Sequence, residues 1–393
     1  MNVLLLHPNS PFLMDARTFP PLGVLYLGAA LKANGHTCSV VDMGLGSSIE
    51  GYSPDLIGIS CTTAHIPELR PLIARCKSAY RGVPIILGGP HFSCLPDDGL
   101  KYGCPVVMGD GEEAITEITG TLHCGGKIEW YLMSADHVDV NRHPLPDRSL
   151  LPMLDYHYMI GGMRAATMMT SRGCPYACRY CSKWKHNQVV RYREIENIVQ
   201  EVRDIKSWGL KAVMFFDDEF NLSTRRTAAI CEALKPEGIK WRAFVRSNLF
   251  TREQARLMKD AGCHELCSGV ESGSNEILIA MNKRATVEQG TETRRICAEF
   301  GIRFKAFMIV GLPGETEETV QMTKQWLLDV KPDDFDLALF QPYPGTPWAD
   351  PHADYEKPMF HKGVPGNYTG DWAETRDRID REVREELGMK VLC

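Results

Sequence analysis

The chain has 393 residues, 44% of them hydrophobic and 24% charged, with a formal net charge of −6. That suffices for two domains or one elaborated barrel, and the acidic balance argues against a nucleic-acid partner, whose binders carry a basic excess. No apolar run approaches the roughly twenty residues that cross a bilayer, and the N-terminal Met-Asn-Val-Leu-Leu-Leu-His-Pro lacks the basic region of a secretory signal. With 14 cysteines in no regular framework, a reducing cytoplasm is the expected setting. Cys38, Cys61, Cys76 and Cys231 read as inert core thiols.

Residues 2–7 read as a buried strand, an apolar run stopped by Pro-Asn-Ser-Pro. A helix follows from Leu22 to Lys32, stopped by Asn34-Gly35. Further apolar runs lie at 38–41, 56–60, 84–87 and 105–108, with helical stretches at 67–80 and 112–119 among them. Alternation of this kind predicts a doubly wound, Rossmann-like parallel sheet. Ligands of such sheets bind off the carboxyl ends of the strands, here Ser60-Cys-Thr-Thr63, Gly88-Gly-Pro-His91 and Gly109-Asp-Gly-Glu112. Glycines and small hydroxyls there let backbone N–H groups approach a phosphate-bearing ligand. No G-x-G-x-x-G follows the first strand, so nothing marks a dinucleotide site. Residue chemistry alone leaves the ligand open. His7, at the end of the first strand, reads as a loop histidine.

Residues 141–160 are proline-rich and aperiodic, as an interdomain connection is. Six strand-like runs then alternate with helices, at 165–169, 211–216, 241–246, 264–270, 303–310 and 335–340. Ile195, Ile198, Val199, Val202 and Ile205 mark one helix face. Six such units predict a partial (β/α)6 barrel, with its site at the carboxyl ends of the strands. The fold class is therefore α/β, with expected boundaries of 1–130 for the first domain, 131–162 for the linker, 163–350 for the barrel and 351–393 for a C-terminal tail. The tail is highly charged from Glu374 to Glu386, which suggests a terminal helix with a solvated face.

The first barrel strand runs into Met169-Thr-Ser-Arg-Gly-Cys-Pro-Tyr-Ala-Cys-Arg-Tyr-Cys-Ser-Lys-Trp184. Cys174, Cys178 and Cys181 are close enough in sequence to wrap one metal centre. A 4Fe-4S cube normally takes four thiolates, so three leave one iron open to a ligand from outside the chain. Structural zinc needs a closed set of four. His186 is near enough to complete one, but the finger and ribbon patterns of such sites are absent. Cys263 and Cys267 form a second CxxxC; two ligands are too few for a cluster, and both read as structural thiols.

The CxxxCxxC spacing, with Tyr180 directly before the last cysteine, resembles the radical S-adenosylmethionine (SAM) superfamily, in which the open iron chelates the amino and carboxylate groups of SAM. The order Pro20-Pro-Leu-Gly-Val-Leu-Tyr-Leu27, Gly88-Gly-Pro-His91, Gly109-Asp-Gly-Glu-Glu113 resembles the cobalamin-binding domain that precedes the barrel in one large radical SAM subfamily. The Asp-x-His-x-x-Gly box that supplies an axial histidine elsewhere is missing; Asp155-Tyr-His-Tyr-Met-Ile-Gly161 has one residue too many. Phe215-Phe-Asp-Asp-Glu-Phe220, Gly269-Val-Glu-Ser-Gly-Ser274, Ala306-Phe-Met-Ile-Val-Gly-Leu-Pro-Gly-Glu315 and Gln341-Pro-Tyr-Pro-Gly-Thr-Pro347 are similar to later strand-end segments of the same subfamily.

The resemblance implies three cofactors: a 4Fe-4S cluster on Cys174, Cys178 and Cys181, SAM and cobalamin. It points to Tyr180, Asp217, Asp218, Arg246, Glu271 and Ile309 for SAM, and to Ser60, Thr62, Gly88, Gly89, Gly109 and Glu112 for cobalamin. Asp217 and Asp218 read equally well as helix caps, Glu271 as a capping carboxylate, and Arg246 as half of a surface salt bridge. No catalytic residue is expected beyond the cofactors, which carry the chemistry. The implied activity is methyl transfer from SAM through methylcobalamin to a carbon of a small molecule or peptide, fed by an electron donor such as flavodoxin or ferredoxin. A non-methylating cyclase or ring-rearranging enzyme of the same architecture, and a non-catalytic cobalamin or Fe-S module, are the alternatives. Methylthiotransferases share the barrel but carry extra cluster cysteines and usually a basic RNA-binding domain, for which the tail leaves little room.

Overall fold

The computed structural model describes residues 1–9, 15–133, 139–183, 188–357 and 372–390. They form two compact units, one built on Met1–Tyr158 and the other on Met159–Cys181 and Ile198–Pro342 with the C-terminal helix; the segments 182–197 and 343–358 count with the first. His186 lies outside the described residues.

The first unit holds six parallel strands: β1 Asn2–His7, β2 Thr37–Asp42, β3 Leu56–Ser60, β4 Ile85–Gly88, β5 Val106–Met108 and β6 Tyr131–Met133. Their order is β2-β1-β3-β4-β5-β6, with every pairing parallel. The helices are α1 Leu22–Ala33, α2 Ile66–Ala79, the short α3 Pro90–Cys94 and α4 Asp98–Tyr102, and α5 Gly111–His123. Val3 to Leu6 are buried on both faces of the sheet, which is why β1 reads as an unbroken apolar run. The strand order reverses between β1 and β3, and the crevice at that switch point is where ligands of such sheets bind. One feature differs from the sequence reading. Strand β6 lies in the segment taken as linker, and its three residues are too few for a periodic signal.

The second unit begins with β7 Met159–Ile160, β8 Met163–Met168 and the two-residue β9 Ser171–Arg172. After β10 Arg191–Tyr192, in a segment counted with the first unit, come β11 Ala212–Phe215, β12 Lys240–Phe244, β13 Cys263–Glu271, β14 Arg303–Val310 and β15 Asp334–Leu339. They order as β15-β14-β13-β12-β11-β8-β7. Strands β8 and β11 to β15 run parallel, and β7 pairs antiparallel to β8. The intervening helices are α6 Ile195–Ser207, α7 Thr224–Leu234, α8 Arg252–Asp260, α9 Asn275–Ala280, α10 Val287–Glu299 and α11 Glu317–Val330. Capping boxes start α8 (Thr251, Gln254) and α10 (Thr286, Gln289), tying up N–H groups that the first turn leaves without partners. This is the six-unit partial barrel expected from the strand and helix pattern.

Burial alternates along β14. Phe304, Ala306, Met308 and Val310 are buried, whereas Arg303, Lys305, Phe307 and Ile309 are half-buried or exposed on the opposite, concave face. The charged tail forms α12 Trp372–Glu386. Ile379 and Val383 are fully buried, and the Arg384 Nη2 donates to the Phe335 carbonyl of edge strand β15 at 2.7 Å. Among the described residues no helix is long and apolar enough to cross a membrane.

Candidate functional site

Two layers line the concave face below the site. At the amino ends of the strands Glu265 pairs with Arg242 (3.0 Å) and Arg303 (3.3 Å), and Lys305 bridges Asp334 and Asp336, each at 2.9 Å. Arg242 Nε also donates to the Cys267 sulfur at 2.9 Å. Cys263 and Cys267 are buried, and burial pushes the Cys267 thiol up to about 12 and the Cys263 thiol well above its usual range. The next layer is aromatic, with Phe216 stacked on Phe244 and Phe244 against Phe307, ring centres 6.5 and 5.7 Å apart.

Above the rings lie the carboxyl ends of the strands. Residues 173–178 form an irregular loop after β8 and β9. Cys174 and Cys178 are buried and Cys181 exposed, none of them in a disulfide. Among the described residues no three metal-binding side chains are gathered tightly enough to hold an ion; the thiols are strung along the loop. Its start is braced by Asp217, which accepts from the Thr170 N–H (2.6 Å), the Thr170 hydroxyl (2.5 Å) and the Ser171 hydroxyl (2.6 Å). Asp218 accepts from the Gly173 N–H at 3.0 Å. Neither carboxylate caps α7, whose N-cap is Ser223. Burial raises the Asp217 carboxyl above its usual range although these bonds pull it down.

The loop's far end is tied to the turn after α9. Arg179 N–H donates to the Met281 carbonyl at 2.9 Å, and the Asn282 side chain donates to the Ala177 carbonyl at 2.8 Å. Between these ties the Tyr180 hydroxyl donates to Glu271 Oε1 at 2.7 Å. Lys283 Nζ reaches the same oxygen at 2.8 Å and the Tyr180 oxygen at 3.1 Å. Glu271 ends β13 in a left-handed conformation, φ +68°, at a register shift, and it caps no helix, since Ser274 is the N-cap of α9. Gly269 leaves room for this side chain, since a Cβ there would lie 2.0 Å from Glu271 Oε1 and displace it. Burial would lower the Lys283 ammonium, but the Glu271 and Glu219 carboxylates outweigh it and hold the group above its ordinary value.

Arg246 is not at the surface. It is 2% exposed, with its guanidinium 3.5 Å over the Tyr176 ring and 3.8 Å from Glu219. Among the described residues its Nε and Nη2 have no hydrogen-bond partner, nor do Asn248 Oδ1 and Gln341 Oε1. Buried polar atoms are normally paired, so a guanidinium with two donors to spare fits a carboxylate ligand. Burial pushes Glu219 up to about 7, against the pull of Lys283 and Arg246. Ile309 sits half-buried on the same concave face. Glu219 and Lys283 escape sequence reasoning: one is the third acid of an acidic run, the other a lysine twelve residues past its partner.

In the first unit the expected ligand residues gather at the carboxyl ends of β3, β4 and β5. Gly89 has φ +95° and ψ −178°, and a Cβ there would stand 2.6 Å from the Cys61 carbonyl oxygen and 2.8 Å from its nitrogen. Only glycine fits. The Cys61 N–H donates to the Gly88 carbonyl (2.8 Å) and the His91 N–H to the Cys61 carbonyl (3.2 Å). Gly109, also at positive φ, donates to the Ser93 hydroxyl at 2.9 Å. Glu112 is buried in the first turn of α5, and Ser60 ends β3 half-buried.

Histidines hold these loops, and His7, read as a loop residue, is the last residue of β1. His91 is buried between the Thr63 hydroxyl (3.2 Å) and Asp98 (3.1 Å). The Thr62 N–H donates to His65 Nδ1 at 3.1 Å, which fixes the His65 proton on Nε2. His7, the last residue of β1, meets the His65 ring edge to face with centres 4.7 Å apart. Burial lowers His7 to about 4 and His65 to about 3, the latter with a smaller contribution from His7. Both are neutral near pH 7. His157, in the near-miss box, pairs with Asp15.

Two family models match the chain, the B12 binding domain over residues 16–119 and the Radical SAM superfamily over residues 168–327. An uncharacterised methyltransferase of Pyrococcus horikoshii is 29% identical over 359 residues, covering 84% of this chain and 77% of that one. The anaerobic magnesium-protoporphyrin IX monomethyl ester cyclase of Rubrivivax gelatinosus is 26% identical over 380 residues, covering 88% and 68%. Among solved structures, the radical SAM methyltransferase TsrM of Kitasatospora setae, with cobalamin and a 4Fe-4S cluster bound, superposes with a TM-score of 0.72 at 20% identity, over 93% of this chain and 79% of that one. The chain is therefore a radical SAM enzyme. It belongs with those that carry a B12 binding domain ahead of the barrel, as the motif order implied.

Proposed function

We propose that the protein is a cobalamin-dependent radical SAM methyltransferase acting on a carbon of a small molecule or peptide. The observation that carries the reading is the pairing, in one chain, of a B12 binding domain with a three-cysteine loop. Cys174, Cys178 and Cys181 would hold the cluster. Arg246, Glu271 and Tyr180 would orient SAM with Ile309 beside it, and Asp217 and Asp218 would hold the loop that presents it. Ser60, Thr62, Gly88, Gly89, Gly109 and Glu112 would line the cobalamin crevice. When bound, the cluster and SAM supply radical chemistry and cobalamin supplies a methyl carrier.

The chain's own residues bind and orient. Arg246 offers two unpaired donors to a carboxylate, supported by the orphaned nitrogens, and the glycines at residues 88, 89 and 109 let backbone approach a large cofactor. The reading includes domain boundaries near residues 130, 162 and 350, a cytoplasmic setting and a flavodoxin- or ferredoxin-like electron donor. A second reading, ring formation without methylation, is favoured by the Rubrivivax gelatinosus cyclase as a relative. Turnover with methyl-labelled SAM and a reductant separates the two. Methyl transfer requires label in the product and formation of both 5′-deoxyadenosine and S-adenosylhomocysteine. Deoxyadenosine with product lacking label leaves the cyclase reading.

A further inference from the structure

Lys283 has no role in the reading above, yet it is the most deeply enclosed ammonium described around the cluster loop. Its side chain is 6% exposed and faces a Glu271 side chain that is 7% exposed. A buried cation persists only where a carboxylate and further hydrogen bonds satisfy it. Here Glu271 Oε1 and the Tyr180 oxygen do so, at 2.8 and 3.1 Å. Tyr180 stands between two cluster cysteines, Glu271 ends β13, and Lys283 follows α9. Three separate segments thus meet on one oxygen atom.

The consequence lies in the other oxygen. Both contacts fall on Oε1, and among the described residues Oε2 accepts no hydrogen bond. A glutamate held at φ +68° is in a region that non-glycine residues occupy only where their surroundings over-determine it. Lys283 fixes one carboxylate oxygen, and so the direction in which the second is presented.

We propose that Lys283 is a positioning residue for SAM, holding Glu271 by Oε1 so that Oε2 is presented to an N–H of the amino group at the amino-acid end of SAM, while Tyr180 couples that carboxylate to the cluster loop. The inference rests on the reading of Glu271 as a SAM contact, and the test separates the two. Arg246 and Glu271 then act as the two sides of a clamp on the amino-acid end of SAM, a donor for its carboxylate and an acceptor for its amino group, with Lys283 acting only through Glu271.

The test is SAM affinity in anaerobically reconstituted full-length protein, read from the change in the paramagnetic resonance of the reduced cluster on SAM titration. Iron content and unfolding midpoint serve as controls. Lys283→Met and Glu271→Gln should each retain the cluster and weaken SAM by about tenfold or more, the range for losing one charged hydrogen bond. Lys283→Arg should recover most of the affinity. The double variant should bind no more weakly than Glu271→Gln alone, because residues acting through one another are non-additive. Should Lys283→Met fail to fold, Tyr180→Phe removes the other bond to Oε1 and should weaken SAM less, again without additivity on Glu271→Gln. Wild-type affinity in Lys283→Met beside weak binding in Glu271→Gln overturns the Lys283 proposal. Undiminished affinity in Glu271→Gln overturns the underlying contact instead. Additive losses would show that Lys283 does not act through Glu271.

Discussion

The carboxyl ends of the two parallel sheets work by opposite means. In the first unit they are glycines in conformations closed to other residues, small hydroxyls and histidines kept neutral by burial. In the second they are ionisable groups: the buried cations Arg246 and Lys283, the buried Glu271, and the half-buried Glu219, which keeps its proton up to about pH 7. The first edge offers a ligand shape, backbone N–H groups and small polar side chains. The second is built to recognise a ligand that is itself charged at two points. A large cofactor with many amide groups suits one, and a compact zwitterion the other.

The contrast can be broken most completely at the cluster loop. In Cys178→Ala, two thiolates remain where a cube needs at least three, so iron and sulfide should fall to background and SAM cleavage should vanish. A full complement of iron in the Cys174, Cys178 and Cys181 triple-alanine variant would mean that the cluster is held elsewhere. Gly89→Ala attacks the other edge. Its backbone conformation is essentially glycine-only, which costs roughly 1–3 kcal/mol, and the new methyl group meets backbone atoms of Cys61 rather than a flexible side chain. Cobalamin uptake, read by absorption, should drop at least tenfold while the cluster stays intact. Arg246→Met should spare both cofactors and weaken SAM by about 10- to 100-fold, as loss of a charged hydrogen bond implies.

The smallest effects are the most discriminating, because the two edges respond to pH with opposite sign. Folded Glu219 keeps its proton up to about pH 7, whereas an ordinary glutamate loses it near 4.5. Across that window the folded state binds the extra proton, so this group's stabilising contribution is lost as pH rises. Folded His7 resists protonation down to about 4, against an ordinary 6.5. There the unfolded state binds the extra proton, so stability is lost as pH falls from about 6.5 towards 4. Denaturant melts of Glu219→Gln and His7→Gln across pH 4–8 should each flatten one slope and leave the other. A common response to both substitutions would dissolve the contrast.

Most of the frame was legible before the structure. Buried parallel strands such as β1 and β11 are continuous apolar runs, and the three cysteines stand within eight residues of one another. Local signals of this kind survive in a one-dimensional string. Strand β6 was missed because its identity comes from pairing with β5, not from its own three residues. Lys283 and Glu219 were missed because their meaning arises only when α9 and β11 are folded against the cluster loop. Asp217 was seen but its work was not: both its oxygens hold Thr170 and Ser171, contacts that span almost fifty residues. Arg246 offers the same lesson in reverse, since only burial distinguishes a ligand-ready guanidinium from a surface ion pair.

The central claim is that one chain holds a cluster at one edge and cobalamin at the other. Cofactor content after anaerobic reconstitution, read by iron and sulfide analysis, absorption and paramagnetic resonance, tests it directly. The account predicts one 4Fe-4S cluster and one cobalamin per chain. A well-folded protein that takes up the cluster and no cobalamin would contradict it.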